Sequence, residues 1–335
     1  MREASDAKFF VVGDFGGSDT KPYTTEVQLK VAEFLDKISI SKRPNFFVAA
    51  GDNFYETGIA DVNSPRFEAT FENVYSYGRD LKLPWYIVAG NHDHWGNIQA
   101  QADYSLRNPR WLFAALYYPI RYIFGDERRG AATYVDIIIM DTVLLCGDPT
   151  RNRFFNKFSA QSILSWLEIQ LQVSLASFVF VVGHYPIYST GKHGSSDCMR
   201  DAIADMLIKY KVNAYFAGHN HQLEHLTMTG GPNKWTVNLV TSGTASKFDK
   251  AVKTPEKPLA TNPFMVKSKF VSPNTGDSGS TKGGFVYVEA DTRQVTMKYY
   301  QSDGRELYSV SSPSRRDSAR RRMRQRQRMQ GRRVA

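Results

Sequence analysis

Only two cysteines, Cys146 and Cys198, occur in 335 residues, which excludes a structural zinc site built from several thiolates. No window of 18 or more residues is apolar, so no segment is expected to cross a membrane as a helix. No internal repeat is visible, and 42% hydrophobic content over this length is enough to bury one sizeable core. Net positive charge is concentrated in one stretch. Residues 313–335 hold ten arginines and one aspartate, net +9 of a total of +10, so the remainder of the chain is close to neutral.

What is present is a set of short segments that begin with Gly: Gly13-Asp14-Phe15-Gly16, Gly51-Asp52-Asn53-Phe54-Tyr55, Gly90-Asn91-His92-Asp93-His94, Gly183-His184-Tyr185-Pro186 and Gly218-His219-Asn220-His221. They contain five of the seven histidines. Four follow apolar, β-rich runs (residues 9–12, 46–50, 86–89 and 178–182), and the fifth follows the weaker run 212–217. Continuous apolar runs of this length are how strands buried on both faces look. Side chains just past such strand ends point into the crevice where α/β proteins bind ligands.

Carboxylate, amide, phenol and imidazole donors suit a hard to intermediate cation. A carboxylate can bridge two cations, and Asp52 is central in motif order. Two cations about 3.5 to 4 Å apart hold the nucleophile and the phosphoryl oxygens during in-line displacement, so the chemistry indicated is hydrolysis of a phosphate ester. Singly, each segment also has a plain reading. Gly-Asp after a strand is a common capped turn, a buried histidine is commonly a bonded core residue, and Tyr55 equally suits packing under a site. His219 and His221, two residues apart, would share one face of a strand or loop by ordinary alternation. Five segments in one order are hard to reconcile with independent accidents.

These motifs resemble those of the calcineurin-like metallophosphoesterases, and the Tyr55 that follows Gly-Asp-Asn-Phe resembles the purple acid phosphatases of the small, tartrate-resistant type. Residues 139–147 and 192–198 also look like segments of the animal enzymes, and the resemblance covers roughly residues 8 to 309. It implies that Asp14, Tyr55 and His221 hold a ferric ion, that Asn91, His184 and His219 hold a divalent metal (iron, zinc or manganese), and that Asp52 bridges. A trivalent ion lowers the phenol pKa from its ordinary value of about 10 and gives the phenolate a visible colour. The resemblance further implies attack on a phosphomonoester by a metal-bound hydroxide. It gives His92 contact with the phosphate and proton donation to the leaving group, and places His193 near that group. Lys192 stands where the animal enzymes carry an acidic residue, which would favour anionic substrates. His94 and His225 are expected in supporting or surface positions, with Asp93 as a candidate orienter of a histidine.

The class is α/β. Helices are expected at Thr25–Ile38 and Ser162–Leu175 from apolar spacing near 3.6, and half-exposed antiparallel strands at residues 284–289 and 295–300 from alternation. Periodicity alone does not separate a sandwich from a single doubly wound sheet. The resemblance implies a sandwich of two mixed sheets flanked by helices, with the metals at one edge. Residues 1–312 are expected to form this domain. Residues 244–282 read as a mobile loop, in the region where the family carries a loop that restrains activity.

Cys146 and Cys198 lie in segments like those that carry the paired cysteines of the animal enzymes, which implies a disulfide and an oxidising compartment. Residues 1–8 are too short and polar for a leader; the favoured reading is an extracytoplasmic protein whose leader has been removed, with intracellular residence and reduced thiols as the alternative. The arginine-rich stretch 313–335 reads either as a disordered solvated tail or as a contact for an anionic surface, an acidic partner or nucleic acid. The leading function is a dimetal acid phosphatase acting on phosphomonoesters, small molecules or phosphoproteins. The alternatives are a phosphatase-like scaffold, as in the membrane-anchored subunit of the apicomplexan gliding motor, and a nucleotide or nucleic-acid phosphodiesterase.

Overall fold

The apolar runs read from the sequence become the parallel strands at the centre of two sheets. A computed structural model describes residues 5–76, 83–127, 130–148, 157–249, 263–272 and 282–316. In chain order, β1 (Ala7–Val12) is followed by α1 (Glu26–Lys42), β2 (Phe46–Ala49), a π-helical turn (Phe67–Glu72), β3 (Trp85–Ile87), α2 (Asn91–Trp95), α3 (Ile98–Tyr104), β4 (Trp111–Leu112), β5 (Tyr118–Phe124) and β6 (Thr133–Ile139). Then come α4 (Thr142–Cys146), α5 (Lys157–Val173), β7 (Phe178–Val182), α6 (Asp197–Lys209), β8 (Ala214–Ala217), β9 (Leu223–Gly230) and β10 (Trp235–Ser242). The chain finishes with β11 (Met265–Val271), β12 (Gly284–Ala290), β13 (Gln294–Gln301) and β14 (Glu306–Pro313).

Each sheet has seven strands, in the orders β14-β13-β12-β1-β2-β3-β4 and β11-β9-β10-β8-β7-β6-β5. Both are mixed. β1, β2, β3 and β4 run parallel, and β12 joins β1 antiparallel; β6, β7, β8 and β10 run parallel, with β5 and β9 antiparallel beside them.

β7 shows why these runs have no polar alternation. Phe178, Phe180 and Val182 face the other sheet, where Phe180 meets Phe9 of β1 and Phe216 of β8, with ring centroids 5.9 and 5.6 Å apart. Val179 and Val181 face a second core under α5 and α6, with Ile163, Leu167, Ile203 and Leu207. Burial on both faces is the signature of parallel strands covered by helices. α1 starts where Thr25 accepts the Gln28 N–H and packs Val27, Val31, Leu35 and Ile38 inward; it runs four residues beyond the expected end, to a left-handed cap at Arg43. α5 begins earlier than expected and ends at Val173.

Two sequence expectations need correction. β12 is not half-exposed: it lies between β1 and β13 and is buried on both faces, because α1 covers the face that alternation assigned to water. Residues 244–282 are not a single loop. Thr244 to Asp249 bond to the strand ends, with the Ala245 N–H to Gly13 O and the Ser246 N–H to Asp14 O, and β11 pairs with β9 as a sheet edge. The remainder, residues 250–262 and 273–281, lies outside the described residues. Beyond β14, the Ser314 N–H bonds Arg293 O and the Arg315 N–H bonds Ser177 O; the expectation for the arginine-rich tail falls, from residue 317 on, outside the described residues.

Cys146 at the end of α4 and Cys198 in the first turn of α6 are bonded, with Cα atoms 5.8 Å apart and a sequence separation of 52. A cross-link of this span stabilises by about 3 to 4 kcal/mol in the chain-entropy treatment. Mass spectrometry without reduction is therefore expected to find the two peptides linked, and Cys146→Ser is expected to lower unfolding free energy by about that amount in denaturant titration.

Candidate metal centre

The five Gly-led segments meet where the ends of β1, β2, β3, β7 and β8 come together. Asp14, Asp52 and His219 all adopt left-handed backbone conformations (φ 58°, 52° and 69°), a region in which Asp and His are enriched among non-glycine residues but still uncommon. Strand ends must lie very close for the side chains to meet. A Cβ on Gly51 (φ 90°) would overlap the His184 imidazole, and one on Gly90 would overlap the Asp52 carboxylate, so both positions require glycine for close approach.

Asp14, Asp52 and His184 are buried and offer ligand atoms that all lie within 4.8 Å of one another. On one side, the Tyr55 hydroxyl donates to Asp14 Oδ1 at 2.8 Å, and His221 Nε2 sits 3.0 Å from the phenol oxygen. On the other, His184 Nε2 lies 3.1 Å from Asn91 Oδ1 and 3.4 Å from Asp52 Oδ2. His219 completes that side with its ring 5.1 Å from that of His184, while its N–H donates to Asp14 Oδ2. The structure thus brings together all seven residues expected as ligands.

Their protonation shows what the cluster lacks in protein atoms alone. His184 donates its Nδ1–H to Ala50 O at 2.9 Å, which leaves an Nε2 lone pair facing the acceptor-only carboxylate of Asp52. Two acceptors at that distance need a proton or a cation between them. Burial alone would depress the His184 pKa, but the Asp52 charge outweighs it and pushes the value up to about 10. The phenol of Tyr55 is held well above its ordinary range by burial and by the charges of Asp14 and Asp52. His219 is held well below the ordinary imidazole value, by burial and then by the positive charge of His184, so it is neutral and can donate a lone pair. Oxygen and imidazole donors that compete for missing positive charge fit cations of the hard to intermediate kind.

His92 stands over this cluster rather than in it. Its backbone N–H donates to Asp52 Oδ1 at 3.0 Å, its Nδ1 contacts Glu56 O at 2.5 Å, and its Nε2 points to Asp52 Oδ2 at 3.9 Å. His193 lies across the opening, 4.5 Å from the His219 ring and 6.1 Å from that of His221. It borders a cavity of about 350 Å³ lined also by Tyr185, Pro186, Ser195 and the Cys146–Cys198 pair. Burial, followed by the charge of His221, holds its pKa below the usual value.

Residues 7–223 match the family model of the calcineurin-like phosphoesterases. The chain belongs to that family. It is 35% identical over 320 residues to the tartrate-resistant acid phosphatase type 5 of Rattus norvegicus, covering 93% of this chain and 92% of the relative. Purple acid phosphatase 4 of Arabidopsis thaliana is 31% identical over 246 residues, 71% of this chain and 68% of its own length. Among solved structures, the inner-membrane-complex anchor GAP50 of Plasmodium superposes with a TM-score of 0.74 at 24% identity, covering 93% of this chain and 90% of its own, which establishes a shared fold.

Within this family fold, several expectations are revised. His219 and His221 reach the cluster through a left-handed bend at His219, not through strand alternation, because both lie past the end of β8. Asp93 does not orient a histidine: its carboxylate takes the Gly90 N–H, the Asn53 N–H and side-chain amide, and the Gln101 amide, locking two strand-end loops together. The orienting carboxylate is Asp141, 2.7 Å from His94 Nε2. His225 is buried in β9 against Tyr308 and Asn238, away from the surface.

Residues that the sequence reading passed over also shape the site. Lys247 lies with its Nζ 3.8 Å from the Tyr55 ring centroid and pairs with Glu56, and Asp249 faces His221 at 3.8 Å. Asn220, the spacer of Gly-His-Asn-His, accepts the His193 N–H at 2.7 Å and donates to Gly194 O at 3.1 Å. Glu224 accepts from the Ser189 hydroxyl and from the Thr190 N–H and hydroxyl at 2.6 to 2.8 Å. A short amide between two ligand-type histidines was the one available signal. Together these two clamp the turn that carries His193. Asn220→Ala is expected to cost about 1 to 3 kcal/mol from the lost bonds, and native-state hydrogen exchange should speed up at His193 while β7 stays protected.

Proposed function

We propose that this protein is a dimetal acid phosphatase that hydrolyses phosphomonoesters. The observation that carries the reading is the buried group of Asp14, Asp52 and His184, whose ligand atoms all lie within 4.8 Å of one another and suit a shared cation. The similarity to acid phosphatases over nearly the whole chain supports the same chemistry. Asp14, Tyr55 and His221 would hold the ferric ion, Asn91, His184 and His219 the divalent one (iron, zinc or manganese), and Asp52 both. When bound, the cations supply the charge that grips the phosphoryl oxygens and activates water for in-line attack.

The chain's own groups do the rest. Asp14 and Asp52 receive backbone N–H bonds from His219 and His92, so the loops that surround the phosphate are tied to the ligands themselves. His92, fixed through Nδ1 against the Glu56 carbonyl, keeps Nε2 aimed over Asp52 and delivers a proton to the departing alcohol oxygen. His193 and the cavity beside it take the organic part of the ester. About 350 Å³ lies at the lower end of small-ligand pockets and suits a small alcohol or one phosphorylated side chain. Lys192, exposed beside His193, adds attraction for anionic esters. The disulfide supports an extracytoplasmic, secreted or lysosomal setting.

The scaffold reading, which the GAP50 likeness would favour, leaves unexplained why seven donor residues converge around the buried group of Asp14, Asp52 and His184. A phosphodiesterase reading finds no support in the near-neutral body of the domain.

Metal analysis of purified protein is expected to give two ions per chain, with hydrolysis of an aryl phosphate favoured at acidic pH; one metal or none in active protein would overturn the proposal. His92→Ala should lower turnover by about 10²- to 10⁴-fold with metal content unchanged, and Asp52→Ala should lose metal. Tyr55→Phe keeps the ring and removes the ligand oxygen, so the visible band should vanish while the fold persists. A retained band would make Tyr55 a packing residue.

A further inference from the structure

One short segment after β10, residues 244–249, touches each of the three residues proposed for the ferric ion. The Ser246 N–H and hydroxyl both donate to the Asp14 carbonyl, at 3.0 and 2.6 Å. Asp249 donates its N–H to His221 O at 2.9 Å and brings Oδ1 to 3.8 Å from His221 Nδ1, the ring nitrogen turned away from the Tyr55 phenol. Between these two, Lys247 holds its ammonium over the Tyr55 ring, 3.8 Å from the centroid, and pairs with Glu56. The backbone at Lys247 is pinned as well: Thr25 donates its hydroxyl to Ser246 O and Thr244 donates its own to Lys247 O, each at 2.7 Å. Lys247 is thus fixed at both ends.

An ammonium at this distance lies well inside the reach of cation–π attraction, about 6 Å. Against a neutral phenol it meets only the ring quadrupole. Against a phenolate it meets negative charge delocalised into the ring, and the attraction grows with that charge. A cation over the face lowers the energy of the ring π electrons, and the colour of a ferric phenolate arises from transfer out of those electrons. It also disfavours the higher charge of a nearby ion, which makes that ion easier to reduce. Asp249 acts in the opposite sense, because a carboxylate behind Nδ1 makes the imidazole a stronger donor through Nε2 and favours the higher charge. Asp249 Oδ2 is buried and has no hydrogen-bond partner among the described residues, so no donor there offsets its charge.

We infer that Lys247 tunes the ferric ion from outside its ligand set, through the face of Tyr55, with Asp249 opposing it through His221; this rests on the assignment of Asp14, Tyr55 and His221 proposed above. The two side chains that set the colour and the reduction potential of the site alternate along one strand-end segment, and neither supplies a ligand atom.

Visible absorption and a spectroelectrochemical titration of the iron-loaded protein test this. Lys247→Met keeps an apolar stem and removes the charge; its band is expected at longer wavelength than in wild type, and its reduction potential lower. Lys247→Arg keeps the charge and should return both toward wild type. Asp249→Asn should move the potential upward instead. Each variant is expected to retain wild-type iron content and melting temperature. An unchanged band and potential in Lys247→Met would overturn this inference alone, and so would loss of iron in that variant, which would make Lys247 a structural support. Potentials that move the same way in Lys247→Met and Asp249→Asn would also overturn it, since a loosened site shifts both alike. Iron-loaded wild-type protein without a visible band would overturn it together with the ferric assignment of Tyr55.

Discussion

Two buried carboxylates, Asp14 and Asp52, set the terms for the rest of the molecule. Each has almost no contact with water, and each sits beside the other and a histidine within a few ångströms. Burying like charges is expensive unless positive charge or donors answer them. The protein answers in part with backbone: the N–H groups of His219 and His92 point at the two carboxylates. The remaining deficit shows as protons held tightly on His184 and Tyr55. A site in which a proton stands in for missing charge is ready to exchange it for a cation, and the proposed dimetal chemistry rests on that exchange.

Such crowding of anions needs a stiff support. The strands behind the site are buried on both faces, and aromatic side chains fill the space between sheets and outer layers: Phe9 stacks on Phe46, Phe47 on Trp85, and Phe54 meets Phe67 and Trp111. Asp93, Asp141 and Glu224 add a ring of buried carboxylates that accept loop N–H and side-chain groups and touch none of the reacting positions. They hold in place the turns that carry Asn91, His94 and His193. Polar groups of this kind rigidify a site only when their bonding capacity is well used, and the three or more donors to Asp93 and to Glu224 meet that condition.

The two ends of the parallel strands differ in character. Parallel strands in each sheet carry the ligands past their C-terminal ends, so their N-terminal ends are free for other uses. It is there that α5 leaves Val173 and Leu175 exposed and that the chain, after β14, passes Ser177 on its way to the arginines.

From the sequence, the class of fold and the Gly-led segments that the structure brings together were legible, because a Gly followed by a donor after a buried strand leaves a local mark. The assignment of Asp14, Asp52, Tyr55, Asn91, His184, His219 and His221 as ligands came instead from the family resemblance. Helix α1 was legible through the near-3.6 spacing of Val27, Val31, Leu35 and Ile38. Burial of β12 was not, since alternation reports one covered face and only packing against α1 covers the other. Nor were the roles of Asp93, Asn220 and Glu224, whose partners lie on loops distant in sequence, or the left-handed turns that bring Asp14, Asp52 and His219 together. A side chain's chemistry is carried by its own residue, whereas its partner, its protonation and its exposure belong to whatever the tertiary fold places against it.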